Sequence, residues 1–235
     1  MIDSKAIISH LKTLGNPEIA EHSKVFFKTG VGEYAEGDCF LGIRVPVLRK
    51  EVKAFQKASL ITLQSCLSNE FHEIRLFALL VLVEQFKKAS QEEQTKIYQL
   101  YLNNTQFINN WDLVDSSAPH IVGAYLYDKA REPLIELGQS PDLWQRRIAI
   151  IATFFFIKRD DFKDCLQIAK ILLKDSHDLI HKAVGWMLRE VGKRDKAQET
   201  AFLKQHYQQM PRTMLRYAIE RFPEAERQAF LKGAV

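Results

Sequence analysis

Apolar residues recur every three to four positions along almost the whole of this 235-residue chain, the spacing that gives a helix one buried face. Ile2, Ile7, Ile8 and Leu11 begin the first such stretch. Pro17 opens a second that runs to about Lys28, and a proline's fixed φ suits a first helical turn. From Thr29 to Pro46 the pattern lapses. Gly30, Gly32, Gly37 and Gly42 sit there among mixed residues, which predicts a long structured loop. Pro46 starts the helix VPVLRKEVKAF. Helical windows then cover 59–68, 70–88, 91–103, 107–127, 130–138, 141–157, 161–174, 177–192, 196–206, 211–221 and 223–232. Turn signals separate them, among them Ser90, Asn103-Asn104, Gly138 to Pro141, Gly192 and Pro223. No alternating stretch predicts a strand, so the expected fold is all-α with short connections.

Some of these windows resemble one another. HEIRLFALLVLVEQF, LWQRRIAIIATFFFI, LIHKAVGWMLREVG and MPRTMLRYAIERF each place a basic residue (Arg75, Arg147, Lys182 and Arg216) just before an apolar helical core. The intervals of 72, 35 and 34 residues imply a period of about 35 with one unit between Arg75 and Arg147. That period predicts a right-handed α-solenoid of helix pairs spanning residues 1–235 as a single domain. Equivalent helices in such a stack line one concave face, so basic residues at one phase would form a groove for a polyanion. The plainer alternative is that they are solvated helix ends on separate faces.

Composition narrows the class. Apolar residues at 46% and charged residues at 26% are ordinary globular values and exclude disorder, collagen and a coiled-coil rod. No apolar run approaches the roughly 18 residues of a membrane span, and the N-terminus does not read as a secretory signal. Cys39, Cys66 and Cys165, an odd and widely spaced set, suggest neither a disulfide framework nor a metal knuckle, so a reducing cytoplasm is expected. Net charge is +4, and residues 1–117 carry 13 basic and 14 acidic residues, leaving the basic excess in residues 118–235. His177 and His181 lie four apart without a third ligand and read as a solvated face; no phosphate-binding glycine motif occurs.

The missing repeat falls at Asn109-Asn110-Trp111-Asp112-Leu113-Val114-Asp115. Trp111 and Asp115, four apart, share a helix face. A carboxylate there could stabilise developing positive charge or position a water, and an indole beside it could contact a flat cationic group. The alternatives are that Asp112 is a helix N-terminal charge, Trp111 is core and Asp115 pairs with Arg147. Gly185 allows a close approach next to Trp186, and Arg147 follows Arg146 in LWQRRIAII. In stacked units Asp115, Arg147 and Trp186 would come from three successive repeats at similar phase. Trp144, near a helix start, reads as structural.

Four stretches in order, FFKTGVGEYAEGDCFLGIRVPVLRK, NNWDLVDSSAPHIVG, LWQRRIAIIATFFFIKRDDF and HKAVGWMLREVGKRD, resemble the AlkD-type DNA alkylation repair glycosylases, which are built from HEAT-like repeats. The resemblance implies a monofunctional glycosylase that releases N3- and N7-alkylated purines from duplex DNA without flipping the lesion into a pocket. It implies Asp115 as the catalytic carboxylate, with Trp111 and Trp186 lining the cleft around the damaged nucleotide. It assigns the cleft arginine to Arg147, with Arg146 as the rival, and the DNA face to the FLGI segment and Phe26; Arg44, which follows that segment, and Lys182, at the shared basic phase, are the further candidate DNA contacts. It implies no cofactor and no metal, and double-stranded DNA as partner, bound by a monomer acting at the nucleoid in the cytoplasm. The other reading is a non-catalytic helical-repeat scaffold that binds DNA or protein. The presence of Asp115 favours the enzyme.

Overall fold

The computed structural model describes residues 3–235 and is all-helical; among the described residues the only strand-like feature is an isolated bridge between Cys39 and Phe71. Ile2, one of the residues expected to begin the first helix, lies outside the described residues. The chain packs as two compact units, Met1–Ser117 and Ala118–Val235.

The first unit holds α1 (Ser4–Lys12), α2 (Pro17–Phe26), α3 (Val45–Val52), α4 (Leu60–Leu67), α5 (His72–Phe86), α6 (Gln91–Leu102) and all but the last residue of α7 (Trp111–Ala118). Local chemistry sets their starts. Asn16 accepts from the Ile19 N–H with Pro17 in the first turn, and Ser90 and Glu93 form a reciprocal capping box before α6. Thirteen of the fifteen residues of α5 are buried, so this helix, apolar nearly all round, is the axis on which α3, α4 and α6 pack. The expected loop before α3 is present. Gly42, at φ +76°, lies against α2 so closely that an added Cβ would fall 2.0 Å from the Asn16 carbonyl oxygen.

The second unit holds α8 (Ala124–Leu126), α9 (Glu132–Gly138), α10 (Leu143–Ala152), α11 (Phe154–Ile157), α12 (Lys163–Ile171), α13 (Asp178–Gly192), α14 (Lys196–His206), α15 (Arg212–Ala218) and α16 (Glu224–Lys232). Here α13 is the axis, packed on α10, α12, α14 and α15. Gly185 does permit a close approach: its Cα meets α15, where an added Cβ would lie 2.4 Å from the Met214 carbonyl oxygen.

Two long windows are subdivided. The stretch 107–127 is a 3-10 turn at Thr105–Phe107, then α7, a π turn at Pro119–Gly123, and α8. Pro119 brings no N–H to the ladder, and the wider turn accommodates it. The stretch 141–157 breaks at Thr153, whose hydroxyl donates to the Ile150 carbonyl at 2.6 Å and ends α10.

Candidate active site

In the first unit the candidate residues gather at the N-terminus of α7. Trp111 opens the helix and stacks on Phe27 (centroids 5.4 Å apart, 25° between planes). Phe26 meets the same indole edge-on at 5.9 Å and is 56% exposed. The structure therefore brings Phe26 and Trp111 together, with Phe27 as a second aromatic partner that the sequence reading passed over. Phe27 also packs against Phe40 and His72, and Phe40 stacks on the His72 ring at 4.8 Å.

Asp115 stands one turn after Trp111 on α7 and is half-buried. The helix is tied at both ends. At its start, Asp112 Oδ2 lies 2.8 Å from His72 Nε2, so Asp112 is a helix N-terminal charge that also holds a buried partner. At its end, Ser117 Oγ lies 3.0 Å from the hydroxyl of Tyr101, which is fully buried on α6. Burial pushes the Tyr101 hydroxyl above its ordinary range, and the nearby Asp115 charge adds to that shift.

Beneath the aromatic cluster lies a buried charge network. His72 Nδ1 sits 3.0 Å from Asp38 Oδ2, and Arg75 donates to Asp38 Oδ1 at 2.8 Å and to the carbonyls of Asn69 and Glu70. Burial opposes charge on His72, but the carboxylates of Asp112 and Asp38 outweigh it and hold the imidazole up at about 9. Burial likewise opposes charge on Asp38, yet His72 and Arg75 hold its carboxyl below the usual range. Glu73, also buried, accepts from the Leu41, Gly42 and Ile43 N–H groups at 2.8, 2.8 and 3.2 Å. This cradle fixes the FLGI segment, and Arg44, exposed, follows as the residue before α3.

Arg75 corrects one expectation. It is 4% exposed and spent inside this network, so it adds nothing to an exposed basic row. The burial of an arginine cannot be read from helical phase alone. His72, Glu73 and Asp38 went unremarked in the sequence, although the first two stand directly before Ile74 and Arg75 in the HEIR stretch. Nothing local signals that a loop aspartate 34 residues upstream meets His72.

In the second unit, Arg147 on α10 is 5% exposed and its Nη1 donates to the Leu179 carbonyl at 2.5 Å. Arg146 is bound to Asp175 at 2.6 Å and donates to the Ser140 and Pro141 carbonyls. Trp186 on α13 donates from Nε1 to Glu190 at 3.0 Å and lies tilted against Phe154. Lys182 pairs with Asp178 at 2.7 Å, an i,i+4 contact on a half-exposed face, and holds that carboxyl below its ordinary value. Trp144 is buried, in keeping with a structural role. The histidines expected on a solvated face are half-buried instead. His177 caps α13 by accepting from the Leu179 N–H, and His181 is 2.6 Å from the Asp175 carbonyl oxygen.

The all-helical architecture places the chain in the all-α class. The particular family follows from the sequence: the profile of the DNA alkylation repair enzyme family matches residues 7–222, and the chain belongs to that family. Membership carries a role in the repair of alkylated DNA. Two solved structures share the fold. A predicted DNA alkylation repair enzyme from Enterococcus faecalis aligns with a TM-score of 0.70 at 16% identity, over 89% of this chain and 97% of that one. The smu.31 protein of Streptococcus mutans aligns with a TM-score of 0.58, also at 16% identity, over 77% and 93%. No curated protein matches the chain. Among the described residues no helix is long and apolar enough to cross a membrane.

Proposed function

We propose that the chain is a monofunctional DNA glycosylase that hydrolyses the N-glycosidic bond of N3- and N7-alkylated purines in duplex DNA. The observation that carries the reading is α7 itself. It presents a half-buried carboxylate, Asp115, one turn beyond an indole, Trp111, on a helix tied down at both ends. An alkylated purine already bears positive charge. When the C1′–N bond breaks, its electron pair passes to the base, which leaves neutral, and the cationic character moves to the deoxyribose. A fixed carboxylate stabilises that developing charge and orients water for attack at C1′; the water proton is then lost to the carboxylate or to solvent. Trp111 lies beside the sugar in this scheme. In this reading discrimination rests on the lability of the cationic base, and the lesion is not flipped out.

In the second unit, Trp186 is the aromatic residue that the family resemblance assigns to DNA contact. Arg147 is the proposed phosphate contact there on the family resemblance, with Arg146 as the rival; to reach a phosphate, Arg147 must give up the Leu179 carbonyl and Arg146 must give up Asp175. Arg44 and Phe26 in the first unit and Lys182 in the second are each proposed DNA contacts, and the enzyme acts as a cytoplasmic monomer without a cofactor. The test is release of free bases from methylated duplex DNA by wild type and Asp115→Asn, separated by chromatography. Wild type releases 3-methyladenine and 7-methylguanine, and the variant loses about 10²- to 10³-fold in rate while keeping duplex affinity. Duplex binding without release by either protein would reassign the chain as a DNA-binding scaffold.

A further inference from the structure

We infer that His72 is the positioning residue of this site, a histidine that bridges Asp38 and Asp112 and thereby sets the direction in which α7 presents Trp111 and Asp115. The inference rests on the glycosylase reading. Three features of the first unit carry it.

The first is the hydrogen-bond arithmetic. Both ring nitrogens of His72 face carboxylate oxygens, at 3.0 and 2.8 Å. An ionised carboxylate only accepts, so a neutral imidazole would turn one lone pair toward an acceptor. The arrangement is satisfied when both nitrogens donate. Arg75 on the far side of Asp38 keeps that carboxylate occupied and ionised.

The second is leverage. His72 opens α5, the buried axis of the unit, and its own N–H donates to the Cys39 carbonyl at 2.8 Å. It is therefore fixed to the core before it reaches Asp112. Asp112 lies next to Trp111 and one turn before Asp115 on α7. With Ser117 held by Tyr101 at the other end, the His72–Asp112 contact ties the first turn to the core, beside Asn110, whose Oδ1 accepts the Trp111 N–H at 2.8 Å.

The third is the aromatic route. The His72 ring packs against Phe27 and Phe40, each 4.8 Å away, and Phe27 stacks on Trp111. A cationic ring against aromatic faces is an attractive contact, and it couples the same histidine to the indole by a second path. His72 touches no solvent-facing reacting position: it is 2% exposed and acts through Asp112 and Phe27.

A residue that only held the fold together would alter stability and leave a folded variant fully active. A positioning residue alters the chemical step. The experiment is single-turnover release of 7-methylguanine from methylated duplex DNA by wild type, His72→Gln, Asp112→Asn, the double variant and Asp115→Asn. Duplex affinity is measured in parallel, and folding is checked by circular dichroism. We expect His72→Gln and Asp112→Asn each to slow release at least about tenfold, the cost of a displaced catalytic group, with duplex Kd within about threefold. The double variant should be no slower than the slower single, because both changes break one contact. Should His72→Gln fail to fold, Asp112→Asn decides alone, since it leaves His72 paired with Asp38. Release within threefold of wild type in a folded variant, a Kd loss that accounts for the rate loss, or additive effects in the double variant would each overturn the role of His72. Base release by wild type that Asp115→Asn abolishes keeps the glycosylase reading whatever the His72 result. No release by wild type overturns both.

Discussion

Removing the Glu73 carboxylate should unfasten the segment that carries Phe40 and leads to Arg44. Its two oxygens accept three N–H groups, from Leu41, Gly42 and Ile43, and two of those three residues are buried with it. A hydrogen bond to a charged group contributes about 1.5–3 kcal/mol, and a buried N–H left unpaired costs a comparable amount. Glu73→Ala should therefore destabilise the first unit by about 4 kcal/mol after some rehydration of the half-buried Leu41 N–H, a large part of the 5–15 kcal/mol typical of a domain. Glu73→Gln should cost about half as much. Its amide oxygen can keep the Gly42 and Ile43 donors on Oε1, but its NH₂ then faces the Leu41 N–H, donor against donor. Gly42 cannot relieve the strain by moving toward α2, because it already lies against Asn16 and Ala20. The assay is hydrogen exchange of residues 39–44 by mass spectrometry, with urea unfolding alongside. Loss of protection confined to this segment in Glu73→Gln, and extended through the unit in Glu73→Ala, is the expected pattern. Unchanged exchange in Glu73→Ala would show that the segment is held by its contacts with α2 and Phe27, and the hydrogen-bond reasoning would be wrong.

Other consequences follow from particular contacts. Glu199 is buried on α14 beside Gly192, one of its carboxylate oxygens has no hydrogen-bond partner, and burial pushes its carboxyl up to about 8 despite Arg189 and Lys196. Because the folded value lies above the unfolded one, near 4.5, its contribution is intact below about pH 4.5 and is lost as pH rises through 8, by about 5 kcal/mol. Glu199→Gln should thus raise the urea midpoint at pH 8.5, and a lower midpoint there would count against this account. Gly185→Ala should separate α13 from α15 at a cost of about 3 kcal/mol, since the new Cβ would overlap backbone at Met214; thermal unfolding with no change in Tm would contradict the packing. Replacing Arg44 or Lys182 with Ala should lower the slope of log Kd against log salt for duplex binding by about one unit each, and an unchanged slope would remove that residue from the DNA face.

Much of the fold is legible in the chain because it is local. The three-to-four spacing of apolar residues, Pro17 and Asn16 before α2, and Ser90 with Glu93 before α6 each act over a few residues, so helix positions follow from sequence to within a turn or two. The glycines between Thr29 and Pro46 announce a structured loop for the same reason. Trp111 and Asp115 share a face through helical geometry alone, and Phe26 meets Trp111 in the folded unit.

Tertiary structure decided what those residues are joined to. Arg75 and Arg216 stand at one phase of the repeat, yet Arg75 is closed into a buried pair with Asp38 while Arg216 is exposed. The periodicity that predicts a helix face is blind to what packs against that face. His72 shows the same limit. Its partners lie 34 residues before it and 40 after it, on a loop and on another helix. Sequence determines which segments become helices and which side chains they display. Only the folded chain, by excluding water from Asp38, His72 and Arg75, makes their mutual pairing obligatory and turns His72 into the anchor of α7.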